Sequence, residues 1–280
     1  MKFKSFFLAT ATALALSAGS ALAGPFIISG TDSDEHGFAS GGANFDGWLY
    51  MQKALENIGG GVTNGSKTVV TFGSTSSALT AANSAFGFSS LVGAGWNIVN
   101  LDGVTDITNF FNGTGTTNIN NTGIMMIDSG SNVTGGISPL EDAVLTTNAV
   151  LINSFVGAGG GLFSQASQLG WLSALVPGIA ITPGGAGTGL VLTPDGNTAF
   201  PGLTNADIST GPWHAEFGNY SPLFLLAEDT TGRDVIIGAG AGSITDPEPP
   251  VGVPEPLTMS LFGAGLVGAA ALRRRKAKKV

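Results

Sequence analysis

The sequence predicts an α/β fold, a mostly parallel doubly wound sheet closed by a C-terminal β-hairpin. Two observations carry that prediction. Short apolar or β-branched runs alternate five times with segments whose apolar residues recur at helical spacing, which builds parallel strands joined by crossover helices. The last two apolar runs are separated only by the turn Thr230-Thr231-Gly232-Arg233, which reads as an antiparallel pair appended to such a sheet.

Taken in order, Phe26-Ile27-Ile28 reads as the first strand. After a polar loop, Trp48 to Ile58 reads as a helix stopped by Gly59. Thr68-Val69-Val70-Thr71-Phe72 is a β-branched run leading to an alanine-rich helix near Ala78 to Phe86. Trp96 to Leu101 then leads to a weaker helix around Ile107 to Phe111. Ile124-Met125-Met126-Ile127 is the fourth strand, Leu140 to Ala158 a long helix ending at Gly159-Gly160-Gly161, and Leu162-Phe163-Ser164 the start of the next element. Leu223 to Ala227 and Asp234 to Ile237 form the terminal hairpin. In such a sheet any chemistry sits at the strands' C-terminal edge.

Both ends of the chain carry signals rather than fold. Lys2 and Lys4, the apolar run Phe6 to Ala18, and Ala21-Leu22-Ala23 have the order of a secretory signal peptide, residues 1–23, with cleavage leaving Gly24 first. At the other end, residues 253–280 hold Val253-Pro254-Glu255-Pro256, then an uncharged run from Leu257 to Leu272, then six cations between Arg273 and Lys279. The run is slightly short of the ~20 residues that span a bilayer, and its basic flank can snorkel to make up the difference. A core helix would show a polar face, and this run has none. By the positive-inside rule its basic end stays cytoplasmic, leaving the preceding domain on the far side. This tail resembles the PEP-CTERM sorting signal of Gram-negative bacteria. The resemblance implies cutting at Pro254-Glu255-Pro256 by a membrane protease of the exosortase type, after transient anchoring through Leu257–Leu272. It also implies a surface or extracellular destination and an association with exopolysaccharide.

Between these ends lie a domain, residues 24–241, and an acidic Pro-containing linker, residues 242–252. About 220 residues suffice for one domain with a substantial core. Glycine is abundant, 44 residues, which raises the alternative of a fibrous or solenoid protein, yet no self-similarity recurs at a fixed period. Without the signal peptide and the basic terminus from Arg273 only Lys53, Lys67 and Arg233 stand against nineteen acids, a formal charge near −16. Such a surface excludes nucleic acid as a partner, and it repels anionic polysaccharide unless divalent cations bridge the two. The chain has no cysteine, so disulfides, thiol catalysis and thiolate metal ligands are excluded.

The order of elements, the run Phe155-Val156-Gly157-Ala158-Gly159-Gly160-Gly161-Leu162, the late His214-Ala215-Glu216 and the final hairpin resemble the class I glutamine amidotransferase-like superfamily, including its ThuA-like branch. The resemblance covers about Pro25 to Ala239 and implies a flavodoxin or amidotransferase-like sheet. In that superfamily a Cys on a strand-to-helix turn is paired with a later His-x-Glu. His214-Ala215-Glu216 matches the second element, whereas the turn, Phe163-Ser164-Gln165-Ala166, holds no thiol, so glutamine hydrolysis through a thioester is excluded. What the resemblance leaves is a serine version, with Ser164 as nucleophile, His214 as base and Glu216 behind it, or a fold without catalysis. A serine in this place also serves as a helix N-cap, and a histidine between Trp213 and Phe217 also serves as a half-buried hydrogen-bonding group.

The other polar cluster follows the first strand, near the switch point expected of such a sheet. Asp32, Asp34, Glu35 and His36 are residue types that can hold a divalent cation, although the spacing is not that of an EF-hand, and turn or capping duty is the alternative. Gly184 to Gly189 lacks the strand-before, helix-after setting of a dinucleotide loop and reads as a flexible loop. Three functions follow from these residues: an exported binding or matrix protein without catalysis, a hydrolase or carbohydrate-processing enzyme using Ser164, His214 and Glu216, and a passive structural surface protein. The first is favoured.

Overall fold

The computed structural model describes residues 24–166, 169–187 and 189–239. These lie in one compact unit, Met1–Asp246. The other unit, Pro247–Val280, falls outside the described residues, as do the predicted signal peptide, the linker and the helix Leu257–Leu272. Among the described residues no helix is long and apolar enough to cross a membrane.

In chain order the elements begin with β1 (Phe26–Ser29), the hairpin β2 (Gly37–Ser40) and β3 (Ala43–Asp46), and helix α1 (Gly47–Gly61). They continue with β4 (Thr68–Phe72), α2 (Ser76–Gly87), α3 (Ser90–Gly93), β5 (Asn97–Leu101), α4 (Val104–Phe111) and β6 (Ile124–Ile127). Next come α5 (Pro139–Thr147), α6 (Ala149–Gly157), β7 (Gly161–Ser164), α7 (Leu172–Leu175), β8 (Ala180–Gly187) and β9 (Leu190–Leu192). The domain closes with α8 (Pro194–Ala199), α9 (Asn205–Ile208), β10 (Trp213–Gly218), β11 (Phe224–Asp229) and β12 (Asp234–Ala239).

One sheet of eight strands runs β5-β4-β6-β7-β1-β12-β11-β9. The first five are mutually parallel, with Val70 opposite Met125 and Phe26 opposite Leu162. The antiparallel β12, β11 and β9 complete it, so the predicted terminal hairpin is present and lies against β1. Alternate residues of each central strand enter two separate cores. Ile27, Val69, Met126 and Phe163 meet α1, α2, α8 and α9 on one face. Ile28, Val70, Met125 and Leu162 meet α4 to α7 on the other. Burial on both faces is what makes these strands read as continuous apolar runs.

The chain leaves β4 toward β5 on one side and returns to β6 and β7 on the other, so the order reverses between β4 and β6. A crevice at the strands' C-terminal ends is expected there. β1 stands at the far side of β7, two places from that reversal.

Two predicted helices differ in extent. α1 continues through Gly59, which leaves room for Leu91: a Cβ there would stand 2.4 Å from Leu91 Cδ2. The long helix Leu140–Ala158 is instead α5 and α6. Asn148 divides them, its Nδ2 donating to Val144 O at 2.8 Å while its own carbonyl accepts from Leu151 and Ile152. An Asx side chain that serves the backbone in this way ends one helix and starts another.

Candidate functional site

The glycine-rich segment read as a flexible loop is strand β8, paired antiparallel with β10. Its glycines accommodate a side chain: a Cβ at Gly184 would stand 2.1 Å from Trp213 Cζ3, and one at Gly187 2.3 Å from Trp213 Cε2. Trp213, thus seated, is 1% exposed. β10 then crosses the end of β1, where Gly30 O accepts from His214 N at 2.6 Å and from Ala215 N at 3.2 Å. A side chain at Gly30 would collide with Ala215 O, so this approach requires glycine. Two distant segments are joined here, and the product is a histidine beside the loop that follows β1.

His214 Nε2 lies 2.9 Å from Asp32 Oδ2. His36 Nε2 lies 3.3 Å from the same oxygen, so the only two histidines of the chain converge on one carboxylate. The Asp32 side chain is 5% exposed, against 24% for His214 and 33% for His36. Asp32 Oδ1 is buried without a hydrogen-bond partner. His36 is placed by its carbonyl, which accepts from Gly47 N and from Thr210 Oγ1, and by Gly211, whose Cα abuts the imidazole. Facing a carboxylate, Nε2 of His214 is assigned as the donor, which leaves Nδ1 as the ring nitrogen turned away from Asp32. A shallow surface depression, open to solvent, is lined by Thr31, Asp32, Ser33, His36, Ile208 and Thr210. The buried Asp32 carboxylate orients both rings, and it is His36 that lines the depression, where its imidazole can take or return a proton or orient a polar ligand.

Asp34 turns the other way. Its Oδ1 accepts from Ser129 Oγ at 2.6 Å and its Oδ2 from Ser129 N at 2.8 Å, tying the β1 loop to the end of β6. Gln165 Oε1, after β7, accepts from Asp34 N. The loop therefore does reach the C-terminal edge beside the reversal, although β1 does not. Burial pushes the Asp34 carboxyl up to about 7; the Ser129 hydroxyl holds it down, and Asp128 and Asp32 add to the rise. Asp128 is also buried, and burial pushes it up to about 6, opposed by the hydrogen bond from Ser74 Oγ at 2.6 Å. Its oxygens also accept from Gly130 N and Ile137 N.

The four residues read as metal ligands do not form one cluster. Asp32 faces the two histidines, Asp34 faces Ser129, and Glu35 Oε2 accepts from Thr134 N. Among the described residues no group of three or more His, Asp or Glu side chains is arranged to hold a metal ion. Ser164 and Glu216 do not meet His214 either. Ser164 is fully buried at the end of β7, its Oγ donating to Gln165 O at 3.3 Å, and among the described residues no helix starts at it. Glu216 shares the less buried face of β10 with His214, but its carboxylate lies 3.6 Å from Arg233 Nε.

Sequence reasoning passed over Ser74 and Asp128. Both follow parallel strands, β4 and β6, at their C-terminal ends, and that position was itself the available signal. The pairing of Asp32 with His214 spans 182 positions and had no local signal.

Among known families, residues 252–276 match the PEP-CTERM protein-sorting motif. No curated protein and no solved structure matches the chain. The motif covers the predicted Pro254-Glu255-Pro256, the apolar run and most of the basic end. The chain therefore carries the sorting signal of an exported, exosortase-processed protein of the cell surface or extracellular space.

Proposed function

We propose that this protein is a recognition component of the extracellular matrix, binding exopolysaccharide after release rather than performing chemistry on it. The observation that carries this reading is the sorting motif at residues 252–276, which addresses the chain outside the cell. In this reading signal peptidase cuts after Ala23, the 24–241 domain is exported, and Leu257–Leu272 holds it in the inner membrane of a Gram-negative cell. An exosortase then cuts at Pro254-Glu255-Pro256. The α/β domain serves as a scaffold. His214 hydrogen-bonds Asp32, and Glu216 lies against Arg233, so the pair expected behind Ser164 has other partners. The test is co-sedimentation of the processed protein with the exopolysaccharide of the producing cells. Saturable binding that survives moderate salt is expected, and a protein left in the supernatant at every polymer concentration would sink the reading.

A second reading is favoured by the 2.9 Å contact between Asp32 and His214: a hydrolase in which His214 is the base and Asp32, not Glu216, orients it. Polysaccharide cleavage by the processed protein that disappears in both His214→Ala and Asp32→Asn would establish it. Unchanged cleavage in both would end it.

A further inference from the structure

The hairpin β2–β3 reverses the usual pattern of a surface ribbon. Asn44 is turned inward and is 3% exposed, while its neighbour Phe45 and the opposed Phe38 are 41% and 49% exposed. The inward amide is fully used: Ser84 Oγ donates to Asn44 Oδ1 at 2.6 Å, and Asn44 Nδ2 donates to Ser84 O and to Gln52 Oε1. The ribbon is thus anchored to α1 and α2 through a polar residue, which leaves both phenylalanines outside by construction. Their rings lie 5.1 Å apart at 15°, stacked, so each covers at most one face of the other. A one-residue slip in register would bury them. Solubility alone would favour polar side chains at both positions.

Charge and area narrow what fits there. The three cations between the signal peptide and the tail are all engaged, Lys53 with Glu56, Lys67 with Ala94 O, and Arg233 with Glu216 and the face of Trp213. Against nineteen acids this leaves nothing to attract an anionic polymer or an anionic membrane, and two copies of the domain repel each other. At about 200 Å² per phenylalanine, the exposed fractions amount to roughly 180 Å², far below the ~800 Å² per partner of a stable protein interface. That area matches one or two sugar rings. A hexopyranose gathers C–H bonds on one face, and these weakly positive hydrogens suit the negative face of an aromatic ring.

We infer that Phe38 and Phe45 form an aromatic platform for the apolar ring faces of a neutral polysaccharide. This rests on the reading of the protein as a polysaccharide-binding component and assigns that binding to the hairpin. The test is affinity electrophoresis of the processed protein through gels containing the producing cells' own exopolysaccharide, hydroxyethyl cellulose as a neutral probe, or alginate as an anionic one. Retardation by the first two and not by alginate is expected. The Phe38→Ala/Phe45→Ala variant should lose at least tenfold in affinity, and Phe38→Tyr/Phe45→Tyr should retain it. Because both side chains are half exposed, the alanine variant should melt as the parent does, and an intact melting curve is required of it. Undiminished binding by the alanine variant would overturn the platform and leave the broader reading standing. Absence of binding by the parent protein to any polymer would end both. Self-association that is lost in the alanine variant would show the occupant to be a second copy, which also overturns the proposal.

Discussion

Replacing Asp34 with Asn removes a carboxylate that the fold holds against its preference for water. Burial pushes Asp34 up to about 7, so between the ordinary carboxylate range and neutrality the folded chain binds a proton that the unfolded chain has released. A carboxyl with a raised folded pKa contributes its full stability below the unfolded value and loses it as pH rises through the folded one. A shift from 3.8 to about 7 corresponds to about 4 kcal/mol at ~1.4 kcal/mol per unit, of which roughly 2–3 kcal/mol falls between pH 5 and 8. Asn mimics the protonated acid: its carbonyl can accept from Ser129 N and its amide can donate to Ser129 Oγ. The variant should therefore match the parent within about 1 kcal/mol at pH 5 and exceed it by roughly 2 kcal/mol at pH 8. Urea unfolding of both proteins at half-unit steps would show the two stability curves diverging upward in pH. Asp128, pushed up to about 6 by burial, tilts both curves downward, and somewhat less in the variant, which lacks the neighbouring Asp34 charge, so the divergence between the curves keeps its sign. Parallel curves would refute the reasoning, because they would mean that Asp34 ionises in the fold as it does in water.

Gly187→Ala should lower stability by about 1–3 kcal/mol, since the new methyl meets Trp213 at 2.3 Å, and the additional substitution Trp213→Phe should recover part of that loss in a double-mutant cycle followed by urea midpoints. Converting Pro254-Glu255-Pro256 to alanines should leave the protein uncut in the membrane fraction while leaving export unaffected; cell fractionation with an antibody to the domain decides it, and undiminished release would mean that the motif is not the processing signal.

Much of the large sheet was legible because its strands announce themselves. Phe26-Ile27-Ile28, Thr68 to Phe72, Ile124 to Ile127 and Leu162 to Ser164 each supply side chains to two cores, so they read as short runs of apolar and β-branched residues without the alternation of a half-exposed strand. The parts that escaped obey other constraints. The second half of β8, from Gly184, is mostly glycine because Gly184 and Gly187 admit Trp213, and composition alone cannot separate a glycine strand from a glycine loop. The β2–β3 ribbon was hidden in a polar loop, since its outward phenylalanines and inward asparagine reverse the alternation by which strands are recognised. Strand order escaped as well: that β1 would stand beside β7 and β12 depends on packing among distant segments.

The site divides along the same line. Its residue types were legible: Asp32, Asp34 and His36 stood out in one polar cluster, and His214 through the His-x-Glu resemblance. Their partnerships were not. Proximity in sequence suggested Asp32 with Asp34, Glu35 and His36, and His214 with Glu216; of these only Asp32 and His36 meet, because a turn or strand sends neighbouring side chains in different directions. Asp34 is drawn to Ser129 at the end of β6 and Glu216 to Arg233 just before β12, which leaves Asp32 and His214 to meet across the Gly30 crossing. That meeting depends on glycine at position 30, where Ala215 O would otherwise be displaced. The determinant of the site is therefore a residue with no chemistry of its own, and a search for reactive side chains passes over it.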